Sequence, residues 1–155
     1  MSILDALSAC AGSWRGKSTL QDPHNNIAED SQSDLTVIPV LGGRFVRLDY
    51  TWSYQGKPQE GSLLIGFQKK EDLFTGHWID SFHMGAKVMA LQGPGSGSTV
   101  SLRGSYAAPP GPDWGWRIDL TPEDKGTLRM VMYNVWPESE GGKEELAVEA
   151  VYTRV

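Results

Sequence analysis

Gly12-Ser13-Trp14-Arg15-Gly16 opens the first strand-like run of the chain, directly after a short apolar segment. A large indole set between glycines at this point predicts a residue that plugs one end of a β-barrel. Its counterpart lies far along the sequence, in Tyr152-Thr153-Arg154. If the last strand returns beside the first, the Arg154 guanidinium lies over the Trp14 ring. That contact is worth about 0.5–2 kcal/mol, depending on how far it is desolvated. The pair therefore reads as a device for closing a barrel, and it bears on architecture before function.

Upstream of this motif, Ile3, Leu4, Leu7 and Cys10 recur at helical spacing. Ser2 is placed to cap the helix and Gly12 to end it. So short a helix needs tertiary support. Downstream the periodicity changes to two and stays there. Strands are predicted at 13–20, 33–40, 44–54, 59–68, 73–82, 86–92, 99–106, 114–120, 127–135 and 145–154. The connections at Gly42-Gly43, Gln55-Gly56-Lys57-Pro58, 69–72, 93–98 and 123–126 are hairpin-sized and rich in turn residues. None can hold a crossover helix, which excludes a parallel α/β fold. Two polar connections, 21–30 and 107–113, are longer and contain prolines. The expected fold is all-β: one domain over 1–155, an antiparallel up-and-down barrel of about ten strands with a short N-terminal helix.

Composition narrows the function classes. A chain of 155 residues can bury a sizeable core, and 39% hydrophobic with 21% charged residues is ordinary for a globular domain. The net charge of −5 and the absence of a basic run argue against nucleic acid as a partner. Cys10 is the sole cysteine, so no internal disulfide can form and a reducing compartment is compatible. The opening residues lack a basic region followed by an apolar one, and no stretch reaches the about 18 apolar residues of a spanning helix. The expectation is a cytoplasmic protein with no membrane partner.

Which face of each strand points inward decides where chemistry can sit. Trp114, Trp116, Ile118 and Leu120 share a face, as do Val100, Leu102 and Tyr106. In 44–54, Val46, Leu48, Tyr50, Trp52 and Tyr54 alternate with Phe45, Arg47, Asp49, Thr51 and Ser53. The second set suits either a solvated outer face or a polar, partly wet interior of the kind ligand-binding barrels have.

These patterns resemble those of the calycin barrels, which include lipocalins and fatty-acid-binding proteins. Leu41-Gly42-Gly43-Arg44-Phe45-Val46-Arg47, Glu60-Gly61 through Ile65-Gly66-Phe67, and Trp78-Ile79-Asp80-Ser81 are more closely similar to a bacterial family of lipocalin-like domains of unknown function. The resemblance spans most of the chain and implies the barrel fold, leaving the ligand open. Gly12, Trp14 and Gly16 also resemble the early pattern of nitrobindin-type haem barrels. Those carry their proximal histidine in the C-terminal part, whereas this chain has no histidine after His83. No cofactor is expected.

His77-Trp78-Ile79-Asp80-Ser81-Phe82-His83 is the densest cluster of reactive groups. On a continuous strand His77 and His83 share a face but lie about 20 Å apart, too far to share a metal ion. No metal site is expected. Asp80, flanked by aromatics, either accepts hydrogen bonds from buried donors or anchors a polar group of a ligand. Arg47 and Asp49 share a face and could meet Asp80 across the barrel, while Arg129 and Glu149 could pair between the last two strands. Met84, Met89, Met130 and Met132 suit an adaptable apolar cavity or a plain core. No nucleophile elbow or phosphate loop is present, so no catalytic residue is assigned.

The reading that follows is a binding protein for a small hydrophobic or amphipathic molecule. Phe45, Trp78 and Met130 would give apolar contact, and Arg47, Asp49, Asp80 and His83 would orient polar groups. The loops 21–30 and 107–113 would border the entrance. Two alternatives stand beside it. One is an isomerase or hydrolase using Asp80 and His83 as an acid–base pair at the barrel mouth. The other is a structural module that forms a homodimer through Trp52, Tyr54 or Trp114.

Overall fold

The computed structural model describes residues 2–123 and 126–155. It begins with α1 (Ile3–Ser8), whose Ser2 hydroxyl accepts from the Asp5 amide while the Asp5 carboxylate accepts from the Ser2 amide. This reciprocal cap starts a helix too short to stand alone. Its tertiary support is Leu7, fully buried against the barrel, with Ile3 and Leu4 partly buried beside it.

Among the described residues, ten strands follow: β1 (Gly12–Asp22), β2 (Ile27–Val40), β3 (Phe45–Tyr54), β4 (Lys57–Gln68), β5 (Leu73–Asp80), β6 (Met89–Pro94), β7 (Val100–Tyr106), β8 (Trp114–Glu123), β9 (Thr127–Val135) and β10 (Glu144–Arg154). Each pairs antiparallel with the next, and β10 returns to β1, closing the barrel with Trp14 opposite Arg154. Closure removes every free sheet edge. The expected all-β barrel is thus the observed one. The expected tip at 123–126 includes Asp124 and Lys125, which lie outside the described residues.

The core is the inward half of each alternation. Val46, Leu48, Tyr50 and Trp52 point in from β3, and Leu63 and Ile65 from β4. Trp116, Ile118 and Leu120 do so from β8. On β3 the polar set faces out: Arg47 is exposed and Phe45 and Asp49 are half-buried on the outer wall. A polar interior built on Arg47 and Asp49 is therefore replaced by an apolar one. The reason is register, since a strand with Leu48 fully buried must put both its neighbours outside. Arg129 and Glu149 do pair on the outer wall, at 2.9 Å.

Two expected boundaries shift, each because a side chain decides what periodicity cannot. The expected loop at 21–30 is mostly strand, with a tip of only 23–26. Asp22 accepts from the Asn25 amide and carboxamide, and Asn26 takes the positive φ of 52° that the tight tip requires. The polar run reads as ladder because its outer face pairs, Thr19 to Asp30 and Lys17 to Asp30. The strand expected at 73–82 stops at Asp80, whose Oδ1 accepts from the backbone amides of Phe82 and His83, both at 2.9 Å. That carboxylate turns the chain through 81–86, so the strand expected from 86 starts only at Met89.

Candidate functional site

One end of the barrel is sealed. The Trp14 Nε1–H donates to the Cys10 carbonyl at 2.7 Å, and the Arg154 guanidinium lies 4.6 Å from the Trp14 ring centre. Arg154 also donates to the Ala11 and Ala9 carbonyls, so it ties the end of α1 to the last strand. Both glycines of the motif have a reason. Gly12 sits at φ +123°, and a Cβ on Gly16 would lie 1.7 Å from the Val151 carbonyl oxygen of the adjoining strand. No side chain fits there.

The opposite end is open onto a cavity of about 820 Å³. Segments 21–25, 82–84 with 87–89, 105–107 and 145–147 surround it. Of the connections expected to border an entrance, 21–25 and Ala107 line this cavity, and 26–30 and 108–113 do not. Phe82, Val88 and Leu146 leave an exposed apolar rim. Lower down, Leu20, Met89, Trp78 and Trp116 form the walls and floor.

The floor is held by a buried hydrogen-bond chain that begins on β3. The Trp78 Nε1–H donates to the Tyr50 hydroxyl at 2.9 Å, and that hydroxyl donates to Asp80 Oδ2 at 2.7 Å. Asp80 is 2% exposed, and its other oxygen holds the turn that carries His83. Tyr50 fits because its partner across the ladder is Gly61, where a Cβ would stand 2.2 Å from the phenol oxygen. Burial, and then the Asp80 charge, pushes the Tyr50 phenol far above its ordinary range. It stays a donor. Tyr152, also buried and bonded to Ser33, is pushed up to about 12 mainly by burial.

The turn after Asp80 folds His83 back over the floor. Its ring lies 5.0 Å from Trp116, 5.7 Å from Trp52 and 5.9 Å from Trp78. Trp116 itself stacks on Trp78 at 5.3 Å and 14°. Two nitrogens of this cluster, His83 Nε2 and Trp116 Nε1, are buried without a hydrogen-bond partner. A buried polar group left unpaired costs about 1–3 kcal/mol, so both nitrogens lower the stability of this floor.

Burial lowers the His83 pKa from the ordinary value, and the Asp80 charge opposes the shift less strongly. The folded protein thus holds its proton less tightly than the unfolded chain. This contribution to stability is complete above the unfolded value of about 6.5 and is lost as pH falls toward the folded pKa. Urea unfolding between pH of about 7.5 and about 5.5 is expected to show stability falling with acidification, and His83→Phe is expected to flatten that slope. An unchanged slope in the variant would show that His83 is not the titrating group.

The residues assigned from sequence separate into two sets. Trp78, Asp80 and His83 come together, although Asp80 lies beneath the cavity and does not line it. Phe45, Arg47 and Asp49 do not reach it. Phe45 covers Gly66 on the outer wall, and Arg47 pairs with Asp49 at 3.1 Å, with Ser62 also donating to Asp49. Met130 is buried core, as is Met132, whereas Met84 and Met89 line the cavity. The acid–base pair has no side-chain contact, because both Asp80 oxygens are taken by Tyr50 and the turn amides. Of the aromatics expected at a dimer face, one is buried and two, Tyr54 and Trp114, are half-buried. Trp52 is 6% exposed, Tyr54 donates to Asp22, and Trp114 packs on Trp136. His77 faces outward, and no cluster suited to a metal ion occurs among the described residues.

Tyr50, Trp116, Tyr106 and Asn134 are not among the site residues expected from the sequence. The available signal was their place on inward faces: Tyr50 between Leu48 and Trp52, and Trp116 two before Ile118.

Fold and site together define a closed antiparallel barrel, plugged at one end by an indole and a helix and open at the other onto an aromatic cavity. The chain belongs to the family described as a protein of unknown function (DUF1579), which it matches over residues 4–154. Its fold is similar to the crystal structure of Rv2717c from M. tuberculosis, at 15% identity and a TM-score of 0.65, covering 99% of this chain and 97% of that one. At that identity the likeness speaks for the fold alone. No curated protein matches the sequence. No helix among the described residues is long and apolar enough to cross a membrane.

Proposed function

We propose that this protein binds a small, largely apolar molecule at the open end of its barrel, in the manner of the calycin-like barrels it resembles. The observation that carries this reading is the cavity of about 820 Å³, open at one end of the barrel and floored by packed aromatic rings. That volume falls within the about 300–1,000 Å³ of small-molecule sites, and the mix of apolar wall with few polar groups suits them too. His83 is the ligand contact kept from the sequence reading, with Trp116 and Met89 added, while Trp78, fully buried, backs Trp116 from beneath. Asp80 acts as a positioning residue that holds the His83 turn. Trp14 and Arg154 close the far end and touch no ligand.

The site of action is taken as the cytoplasm, with the single buried Cys10 compatible with reducing conditions. The reading is tested by whether a ligand survives purification, and whether Ala147→Trp, which sets an indole into the cavity wall, removes it.

A further inference from the structure

We propose that the turn over residues 81–88 is a lid on the cavity, latched shut by the neutral His83 ring and released when that ring takes a proton. Residues 82–84 and 87–88 line the cavity, yet none of them belongs to a strand ladder. The segment is hinged at Ser81, whose amide donates to the Glu60 carbonyl at 2.9 Å, and at Met89, which pairs with Trp78. Between the hinges few bonds hold it. The Phe82 and His83 amides donate to Asp80 Oδ1, the Met84 amide to the Asp80 carbonyl, and the Lys87 amide to the Met84 carbonyl. From Phe82 to Lys87, every hydrogen bond among the described residues thus closes on the segment itself or on the Asp80 just before it. Gly85, at φ 61°, makes the reversal on the outer side, where a Cβ would meet nothing within 4 Å.

What keeps the segment down is side-chain packing, and His83 is its centre. Phe82 packs edge-on against Trp52 and Tyr54 but stays 43% exposed. The His83 ring goes deeper, lying against Trp52, Trp78 and Trp116 with its Nε2 buried and without a hydrogen-bond partner. A neutral imidazole can hold that place. A protonated one has a donor on each nitrogen and a charge to hydrate, and Nε2 then has an N–H with nothing to accept it.

The groups around the ring do not rescue the cation in place. From β5 comes the Asp80 carboxylate, but its oxygens already accept from Tyr50 and from the two turn amides. From β3 come Trp52 and the neutral phenols of Tyr50 and Tyr54, which donate to Asp80 and Asp22. From β8 comes Trp116, while Arg117 pairs with Asp119 and Glu144. Tyr106 of β7 and Asn134 of β9 bond each other. Asp22, His24 and Glu145 stand at the mouth with Lys87 of the lid. Burial accordingly outweighs the Asp80 charge, and the His83 pKa lies below its ordinary value. The ring's contribution to closure is therefore complete above about pH 6.5 and is lost as pH falls toward the lower value of the closed state. Once released, the imidazolium finds water and the Asp22 and Glu145 carboxylates at the mouth.

Amide hydrogen exchange followed by NMR from about pH 7.5 to about pH 5.5 tests the latch with no ligand present, so the binding reading stands or falls separately. After correction for intrinsic rates, the Phe82, His83 and Met84 amides are expected to exchange at least about a hundredfold faster than those of the buried Leu48 and Ile118, through an opening well short of unfolding. That opening is expected to grow about fivefold or more across the pH range, and His83→Phe to make it independent of pH. Turn amides that exchange no faster than the core overturn the lid. An opening that ignores pH, or a pH dependence that survives His83→Phe, overturns the latch. Should the variant not fold, the wild-type ring decides: its own titration is expected to have a midpoint below about 6.5, and a midpoint above that value would mean that the indoles and Asp80 hold the cation better than water does. That too would overturn the latch.

Discussion

Trp14→Ala is expected to lower the unfolding free energy by about 3–5 kcal/mol, the range for emptying a buried tryptophan site. Trp14 is 2% exposed, and three elements converge on it. Its N–H holds the Cys10 carbonyl after α1, its ring carries the Arg154 guanidinium, and its strand is paired on both sides. Truncation leaves a cavity, an unpaired carbonyl and a guanidinium without its stacking surface. Arg154→Lys retains the charge but loses the planar fork that bonds Ala9 and Ala11, so it should cost far less, about 1 kcal/mol. Urea unfolding followed by far-ultraviolet circular dichroism measures both. A loss below about 1 kcal/mol for Trp14→Ala would contradict its role as the closing plug.

Asp80→Ala is the second large effect, at about 3 kcal/mol or more. Three buried or half-buried donors lose their acceptor at once: the Tyr50 hydroxyl and the amides of Phe82 and His83. The consequence reaches the site, because the turn that folds His83 over Trp116 is held by those amides. Unfolding should therefore become easier, and the indole fluorescence of the floor should change even under native conditions. Asp80→Asn keeps one carbonyl oxygen for the turn and should fall between the two. Equal stability of Asp80→Ala and wild type would show that the buried chain is incidental to the fold.

How far the sequence carried depends on which contacts were local. Trp14 and Arg154 could be paired in advance, since a closed barrel must bring its first strand beside its last. The core face of β3 was legible as one of two alternating sets, but both sets held an aromatic, so Phe45 and Trp52 looked alike. Only the partner strands decided, by burying Leu48. The run from Trp78 to His83 kept a period of two past Asp80, and nothing in that period shows a carboxylate bending back to cap its own turn. For the same reason His77 and His83 seemed to share a face, when one ends on the outer wall and the other on the cavity floor. Met130 and Met89 were indistinguishable in sequence, because depth along the barrel axis leaves no mark on periodicity. Gly61 was visible as part of a resemblance. That it makes room for the Tyr50 hydroxyl is a fact of the third dimension.

The central claim is that the open end holds a small, largely apolar ligand. Native mass spectrometry of the protein purified from its own cells, beside Ala147→Trp prepared in the same way, tests it most directly. The account predicts a discrete added mass on the wild-type chain that is lost on denaturation and absent from a folded Ala147→Trp. A wild-type chain with no added mass, or an equal added mass on both proteins, would contradict it.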